Sequence, residues 1–375
     1  MQNVATNCSQ SFVATFCIRP PTNFVFEINN SKIKMLPVGG VCLDMSMKKI
    51  PLVSVCMITY NHANYIAQAI EGVIKQKTCF PIQIVIADDC STDETRDIIE
   101  RYAQKNSSIT FLTREKNIGM MPNLIDAMSI CTGDYLAFCE GDDFWTDPQK
   151  LQKQVDFLEG HPDYAICAHN LTIVRADGKS LNEFVRPENT EMQYDMHDLA
   201  DKNMLATASC IYRNNFTSGH CPTGFPEWIL KVKIGDYCLH MLAARHGKIK
   251  YFPEAMGSYR LHGGGVWTGE SDFNRQVMFF HTISYLRIEF SGNIIQLLMH
   301  QQLKCLHELM LIDKIRFNQF LLEYRNQIID LFVEEYPFAI NELMDVNKIV
   351  KSEQSSNIGR ILNKFQKIYR FAVGK

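Results

Sequence analysis

At 375 residues the chain is too long for one small domain and suits a large α/β unit with added elements. Its 46% hydrophobic and 21% charged residues are those of a soluble globular protein, and a formal net charge of -3 gives no electrostatic reason to expect nucleic acid as a partner. No two of the thirteen cysteines lie closer than Cys131 and Cys139, which excludes a C-x-x-C knuckle or redox pair, and no run reaches the ~20 apolar residues of a spanning helix.

Residues 1–46 carry no clear periodicity and read as a poorly ordered extension, with Met47 a natural chain start. The first eighteen residues are uncharged and lack the positive start of a signal peptide. From Pro51 strands and helices alternate. "LVSVCMI" is a buried strand by its unbroken apolar run. In "HANYIAQAIEGVIKQ", Ile66, Ile70, Val73 and Ile74 recur at helical spacing. "IQIVIAD" is a second buried strand. Ser91 and Glu94 form an S-x-x-E capping box ahead of the next helix. "ITFLTRE" reads as a third strand, "MPNLIDAMSIC" as a helix and "DYLAFCE" as a fourth strand. Thr146 is placed to cap the helix that carries Leu151, Val155 and Leu158. Such alternation implies a Rossmann-like, mainly parallel sheet flanked by helices. Residues 270–345 read as a helical C-terminal region whose aromatics suit core packing. Cys56, Cys139 and Cys167 fall in apolar runs, as buried thiols of a reducing, cytoplasmic protein would.

Two acidic clusters, "ADDCSTD" and "EGDDFWTD", fall at the carboxyl ends of strands, where open sheets of this kind bind ligands. Glu140, Asp142, Asp143 and Asp147 crowd into eight residues, so their charges repel unless a cation offsets them. Hard oxygen ligands suit Mg²⁺ or Mn²⁺. Asp147 is accounted for by the N-terminus of the following helix. Asp88 and Asp89 exceed what a helix cap needs, and a carboxylate there can accept from a base N–H or a ribose hydroxyl. Neither G-x-G-x-x-G nor G-x-x-x-x-G-K is present, so a phosphate-bearing ligand would need the cation.

Taken in order, "VSVCMITYN", "IADDCSTDET", "NIGMMPNLIDAM" and "GDYLAFCEGDDFWTDPQKLQKQVDFL" resemble glycosyltransferase family 2, tightly over about residues 51–170 and more loosely to about 265. The resemblance implies a GT-A fold, a nucleotide-sugar donor, a divalent metal and inversion at the anomeric carbon. It puts Tyr60 near the donor base, Asp89 with Asp88 beside it on the base, and Glu140 and Asp143 at the ribose and metal, with Asp142 and Asp143 as metal ligands. Glu140 stands where many members have Asp, and Ile58 where many have Pro. In "KIGDYCLHMLAARHGKI", Asp236 opens a helix and resembles the family's catalytic base. Arg260 and His262 in "GSYRLHGGGVW" resemble a segment that folds over the diphosphate.

On that basis residues 47–268 form the catalytic domain, with 51–145 binding the nucleotide sugar and 146–268 facing the acceptor, and 269–375 follow as helices. UDP-sugars are the family's common donors, and a glycan or a lipid-linked molecule of surface polysaccharide synthesis is the expected acceptor. In "NIGRILNKFQKIYRFAVGK" apolar residues share one helical face with Arg360, Lys364, Lys367 and Arg370 beside it. Two readings stay open: a helix lying peripherally on the inner face of an anionic membrane, or one docked on the domain with its basic face in water. Two rival functions also stand. A sugar-1-phosphate nucleotidyltransferase would need a Gly- and basic-rich loop where "TYNHANY" lies, and a non-catalytic nucleotide-sugar or glycan-binding module would lack the acid cluster or the base.

Overall fold

The structure is a computed structural model that describes residues 24–29, 32–37, 50–186, 190–216, 224–265, 267–324 and 327–328. The chain divides into two compact units, 1–50 and 51–375. In the first, β1 (Phe24–Asn29) pairs antiparallel with β2 (Lys32–Pro37). Residues 1–46 show no clear periodicity, which leaves these two strands unassigned from the sequence.

The second unit begins with β3 (Val53–Thr59), α1 (Ile66–Ile74), β4 (Ile82–Asp88), α2 (Thr95–Lys105), β5 (Ile109–Leu112), α3 (Met120–Ile130) and β6 (Tyr135–Phe138). It continues through β7 (Phe144–Trp145), α4 (Lys150–Gly160), β8 (Tyr164–Arg175), β9 (Ser180–Phe184), β10 (Met192–Tyr194), α5 (Met196–Asp201), β11 (Ile211–Arg213), α6 (Gly235–Ala244) and β12 (Lys248–Leu261). Helices α7 (Asp272–Glu289), α8 (Asn293–Ile312) and α9 (Lys314–Glu323) follow. The sheet runs β10-β12-β8-β11-β6-β3-β4-β5. Its β6-β3-β4-β5 half is parallel, as the β-α alternation requires. Strand β11 lies antiparallel between β6 and β8 and joins that half to the parallel β8-β12 pair.

Alternation along each strand divides the core between the two faces of the sheet. Val53, Val55 and Met57 of β3 pack with Ile66, Ile70 and Val73 of α1 and Leu151 and Val155 of α4. Cys56 faces the other way, into a larger core with Leu124 and Met128 of α3, Leu239 of α6, Phe280 of α7, Leu306 of α8 and Phe317 of α9. Among the described residues, the C-terminal aromatics Phe273, Phe280, Phe290, Phe317 and Phe320 are therefore packing residues. The basic amphipathic segment expected after Glu353 lies outside the described residues. Among those described, no helix is long and apolar enough to cross a membrane, and the nine cysteines are free.

Two expected caps do not form. Helix α2 starts at Thr95, because the Ser91 N–H and hydroxyl both bond Asp88 and the first turn is held by Asp93 Oδ1 accepting from Thr95 N–H (3.0 Å). Helix α4 starts at Lys150. Thr146 donates its N–H to the Met256 carbonyl (3.0 Å), and Asp147 accepts from Gln149 N–H (2.8 Å).

Gly72 sits inside α1, where glycine lowers helix stability. The reason is a close approach: a Cβ there would lie 2.8 Å from the Trp145 carbonyl oxygen and 2.9 Å from its nitrogen. Gly72→Ala should therefore lower stability by about 1–3 kcal/mol despite alanine's better helix propensity. Urea unfolding measures it, and a variant as stable as the parent would refute the close-packing account.

Candidate active site

Three chain segments converge at the carboxyl ends of β3, β4 and β6. The first is the turn after β3. Asn61 adopts φ 56°, a left-handed conformation that asparagine tolerates. Its N–H donates to Ser91 Oγ (2.8 Å) and its Oδ1 accepts from Thr92 N–H (2.8 Å). Ala63 N–H donates to Asp93 Oδ2 (3.0 Å). The turn is thus fixed by the loop after β4, and it leaves Tyr60 43% exposed on the wall of a cavity of about 1050 Å³.

The second segment carries Asp88 and Asp89. Asp88 is fully buried and does not line this cavity; Ser91 and, at 3.6 Å, Arg96 take its oxygens. It holds the loop and does not reach a ligand, contrary to expectation, because the Ser91 hydroxyl that was to cap α2 satisfies it instead. Asp89 does line the cavity and accepts the N–H groups of Ile118 (2.7 Å) and Gly119 (2.9 Å), one on each oxygen. Each oxygen keeps a lone pair for a further donor.

The third is the acidic loop Glu140–Asp143. Gly141 is required there, since a Cβ would meet Thr59 Oγ1 at 2.5 Å and His62 Nδ1 at 3.0 Å. Arg260, at the end of β12, ties this loop down. Its N–H donates to Asp143 Oδ1 (2.9 Å), its Nε to the Asp142 carbonyl (2.8 Å) and its Nη2 to Gln68 Oε1 (2.8 Å). Nη1 reaches the carbonyls of Arg175 and Ala176, and the guanidinium lies over the rings of Tyr65 (4.7 Å) and Phe144 (5.1 Å). A side chain expected to grip a diphosphate lines the cavity but is 4% exposed and bonded to protein acceptors. Asp143 is 2% exposed, and burial with the Asp142 and Glu140 charges pushes its carboxyl well above the usual range. Burial, then Asp142 and Asp236, push Glu140 up to about 8.

Asp142 faces two imidazoles. His262 Nε2 lies 2.8 Å from its Oδ2 and His62 Nε2 3.9 Å from the same atom. Burial would raise Asp142, but the His262 bond and both imidazoles outweigh it and lower its carboxyl. Burial, the largest influence on His62, keeps that ring below its ordinary value and hence neutral, the form that ligates metals. One ligand atom from each of His62, Asp142 and His262 can lie within 4.8 Å of the other two. The residues present therefore fit a divalent cation, through Asp142 and two histidines. Asp143, expected as the second ligand, is not in that set, because the Arg260 N–H holds its carboxylate. Sequence reasoning missed His62; its signal is its place after the left-handed Asn61 at the end of a buried strand.

Asp236 lies across the same cavity. Every residue of α6 except Asp236 is buried, and beside Gly235 and Leu239 this is the one carboxylate the helix presents to the cavity. Burial pushes that carboxyl up to about 6. Trp267 and Gly264 line the rim, and Gln301, Lys304 and Glu308 of α8 line the far wall.

A parallel β-α-β half with strand-end acids, joined through an antiparallel strand to a second half carrying a facing carboxylate, defines the GT-A class of fold. Residues 54–214 match the model described as glycosyl transferase family 2, and the chain carries a domain of that family. An uncharacterized protein of Mycobacterium tuberculosis is 37% identical over 215 residues, 57% of this chain and 60% of that one. The chain thus spans about 60% of the length of the first curated relatives it matches. TuaG of Bacillus subtilis, whose name provisionally assigns it to teichuronic acid biosynthesis as a glycosyltransferase, is 34% identical over 138 residues, 36% of this chain and 52% of that one. Among solved structures, S. aureus TarS 1-349 in complex with UDP-GlcNAc shares the fold with a TM-score of 0.57 at 18% identity, covering 86% of this chain and 92% of that one.

Arg260→Ala should lower stability by about 2–4 kcal/mol, since it strands several buried acceptors. Chemical denaturation reads this directly. A variant that keeps parental stability and loses only donor affinity would instead make Arg260 a diphosphate ligand.

Proposed function

We propose that the protein is a metal-dependent, inverting glycosyltransferase that moves a sugar from a nucleotide-sugar donor to an acceptor hydroxyl, with Asp236 as general base. The observation that carries this reading is the pairing across one cavity of an acidic loop beside two histidines with the single open carboxylate of α6.

The half-exposed Tyr60 ring is open to stack on the base, and Asp89 accepts from a base N–H with its remaining lone pairs. Glu140 takes the ribose hydroxyls. Asp142 with His62 and His262 would hold Mg²⁺ or Mn²⁺, which when bound neutralises charge on the departing diphosphate. Asp236 accepts the acceptor's proton as its oxygen attacks the anomeric carbon, a role typically worth about 10²–10⁴-fold. Its carboxyl at about 6 makes it a better base than a solvated aspartate and leaves it ionised at neutral pH. Asp143 and Arg260 fix the loop that presents these groups, and Asp88 fixes the loop behind Asp89.

A UDP-sugar is the proposed donor, because UDP-sugars are the common donors of the family. The proposed acceptor is a glycan or lipid-linked intermediate of surface polysaccharide synthesis. The name given to TuaG supports that class.

Asp236→Asn should lower kcat about 10²-fold or more while donor affinity is nearly kept, because the amide retains the shape and cannot take a proton. Activity of the parent should fall tenfold per pH unit below about 6, as Asp236 becomes protonated. Steady-state kinetics with a panel of nucleotide sugars and Mn²⁺ tests both. Unchanged turnover in the variant would place the base elsewhere.

A further inference from the structure

The acidic loop and the β3 turn are brought together for a purpose that nucleotide binding alone does not require. Three features of the chain cooperate. Asn61 is held at positive φ by Ser91 and Thr92, which turns the chain back at the end of β3 and delivers His62 to the strand-end cavity. Gly141 then removes the one Cβ that would separate the His62 ring from the acidic loop. From the far side, His262 follows the clamped Arg260 and reaches Asp142 at 2.8 Å. The two imidazoles stand edge to face, 5.7 Å between centroids at 86°, so their nitrogens approach Asp142 from different directions.

We infer that His62, Asp142 and His262 form a three-ligand facial site that binds one transition-metal ion before the nucleotide arrives, and that this site selects Mn²⁺ and later first-row ions over Mg²⁺. Ligand atoms ~2.1 Å from an ion and at right angles to one another lie about 3 Å apart; His262 Nε2 is already 2.8 Å from Asp142 Oδ2, and His62 Nε2 at 3.9 Å needs an inward shift. Imidazole nitrogens suit borderline ions, whereas Mg²⁺ demands an octahedron of oxygens. An ion held by these three side chains would keep further positions for the oxygens of a diphosphate. An ion held by three protein ligands stays without nucleotide, while one held by a single carboxylate needs the diphosphate to complete its shell.

The inference extends the proposed function, but its test requires no turnover. The full-length protein, free of nucleotide, is titrated with MnCl₂ while the signal of unbound Mn²⁺ is followed by electron paramagnetic resonance. Bound Mn²⁺ is then examined for ¹⁴N couplings. One ion per chain should bind, with couplings from two imidazoles, and a tenfold excess of MgCl₂ should not displace it. His62→Ala should weaken binding by about tenfold or more and leave coupling from one imidazole. His62→Gln, which preserves volume, should do the same if the alanine variant folds poorly. Gly141→Ala, which pushes the His62 ring away, should weaken Mn²⁺ in the same direction. Mn²⁺ that binds only once UDP is added, or binding and couplings unchanged in both His62 variants, would overturn the inference. Transfer activity that survives such a result would leave the proposed function standing alone.

Discussion

The site depends on one clamp, the buried Arg260 side chain that holds the acidic loop against the end of β12. Glu140, Asp142 and Asp143 lie within four residues, and each is largely removed from water. Carboxylates so confined repel strongly in a medium that screens them poorly. Arg260 fixes the loop through its backbone N–H to Asp143 and its side chain to the Asp142 carbonyl. The same guanidinium reaches Gln68 on α1 and the carbonyls of Arg175 and Ala176 at the end of β8, so three elements bear on one loop.

Once the loop is fixed, its three acids acquire different roles. Asp143 spends its carboxyl on the clamp, and burial with the neighbouring Asp142 and Glu140 charges raises its proton affinity. Asp142 is drawn the other way by two histidines and keeps its charge. Glu140 lies between Asp142 and Asp236 in influence and is raised by both. One loop thus supplies a structural acid, a charged acid beside two histidines and an acid with an elevated proton affinity. Across the cavity, α6 is packed on every side, which fixes Asp236 firmly and keeps other polar groups of that helix out of reach. Separating the charge-neutralising side from the base side is what a single displacement at carbon requires.

Much of this arrangement is legible in the sequence. The parallel half of the sheet follows from unbroken apolar runs alternating with helical spacing, and both acid clusters stand where strands end. Asp89, Asp142 and Asp236 all line the cavity, and His262 bonds Asp142 beside it. What the sequence does not disclose is which neighbour satisfies each polar group. Asp88 and Asp89 are adjacent and identical in type, yet one is taken by Ser91 and the other faces the cavity, a difference set by strand pleat and loop contacts. Arg260 reads as an anion ligand until the four protein acceptors of its guanidinium are seen. His62 reads as a turn residue until Gly141, nearly eighty positions away, is found beside it. The antiparallel β11 is three residues long, too short for any alternation to announce.

A single base facing an acid-and-histidine cluster across one cavity predicts one displacement and therefore inversion. The most direct check is stereochemical and needs no knowledge of the acceptor. An α-configured nucleotide sugar that the protein turns over is hydrolysed slowly in the presence of Mn²⁺, with water as acceptor, and the released sugar is observed by proton NMR before its anomers equilibrate. The β anomer should appear first. Initial release of the α anomer would mean retention, which a lone Asp236 acting as base cannot produce, and would contradict the account.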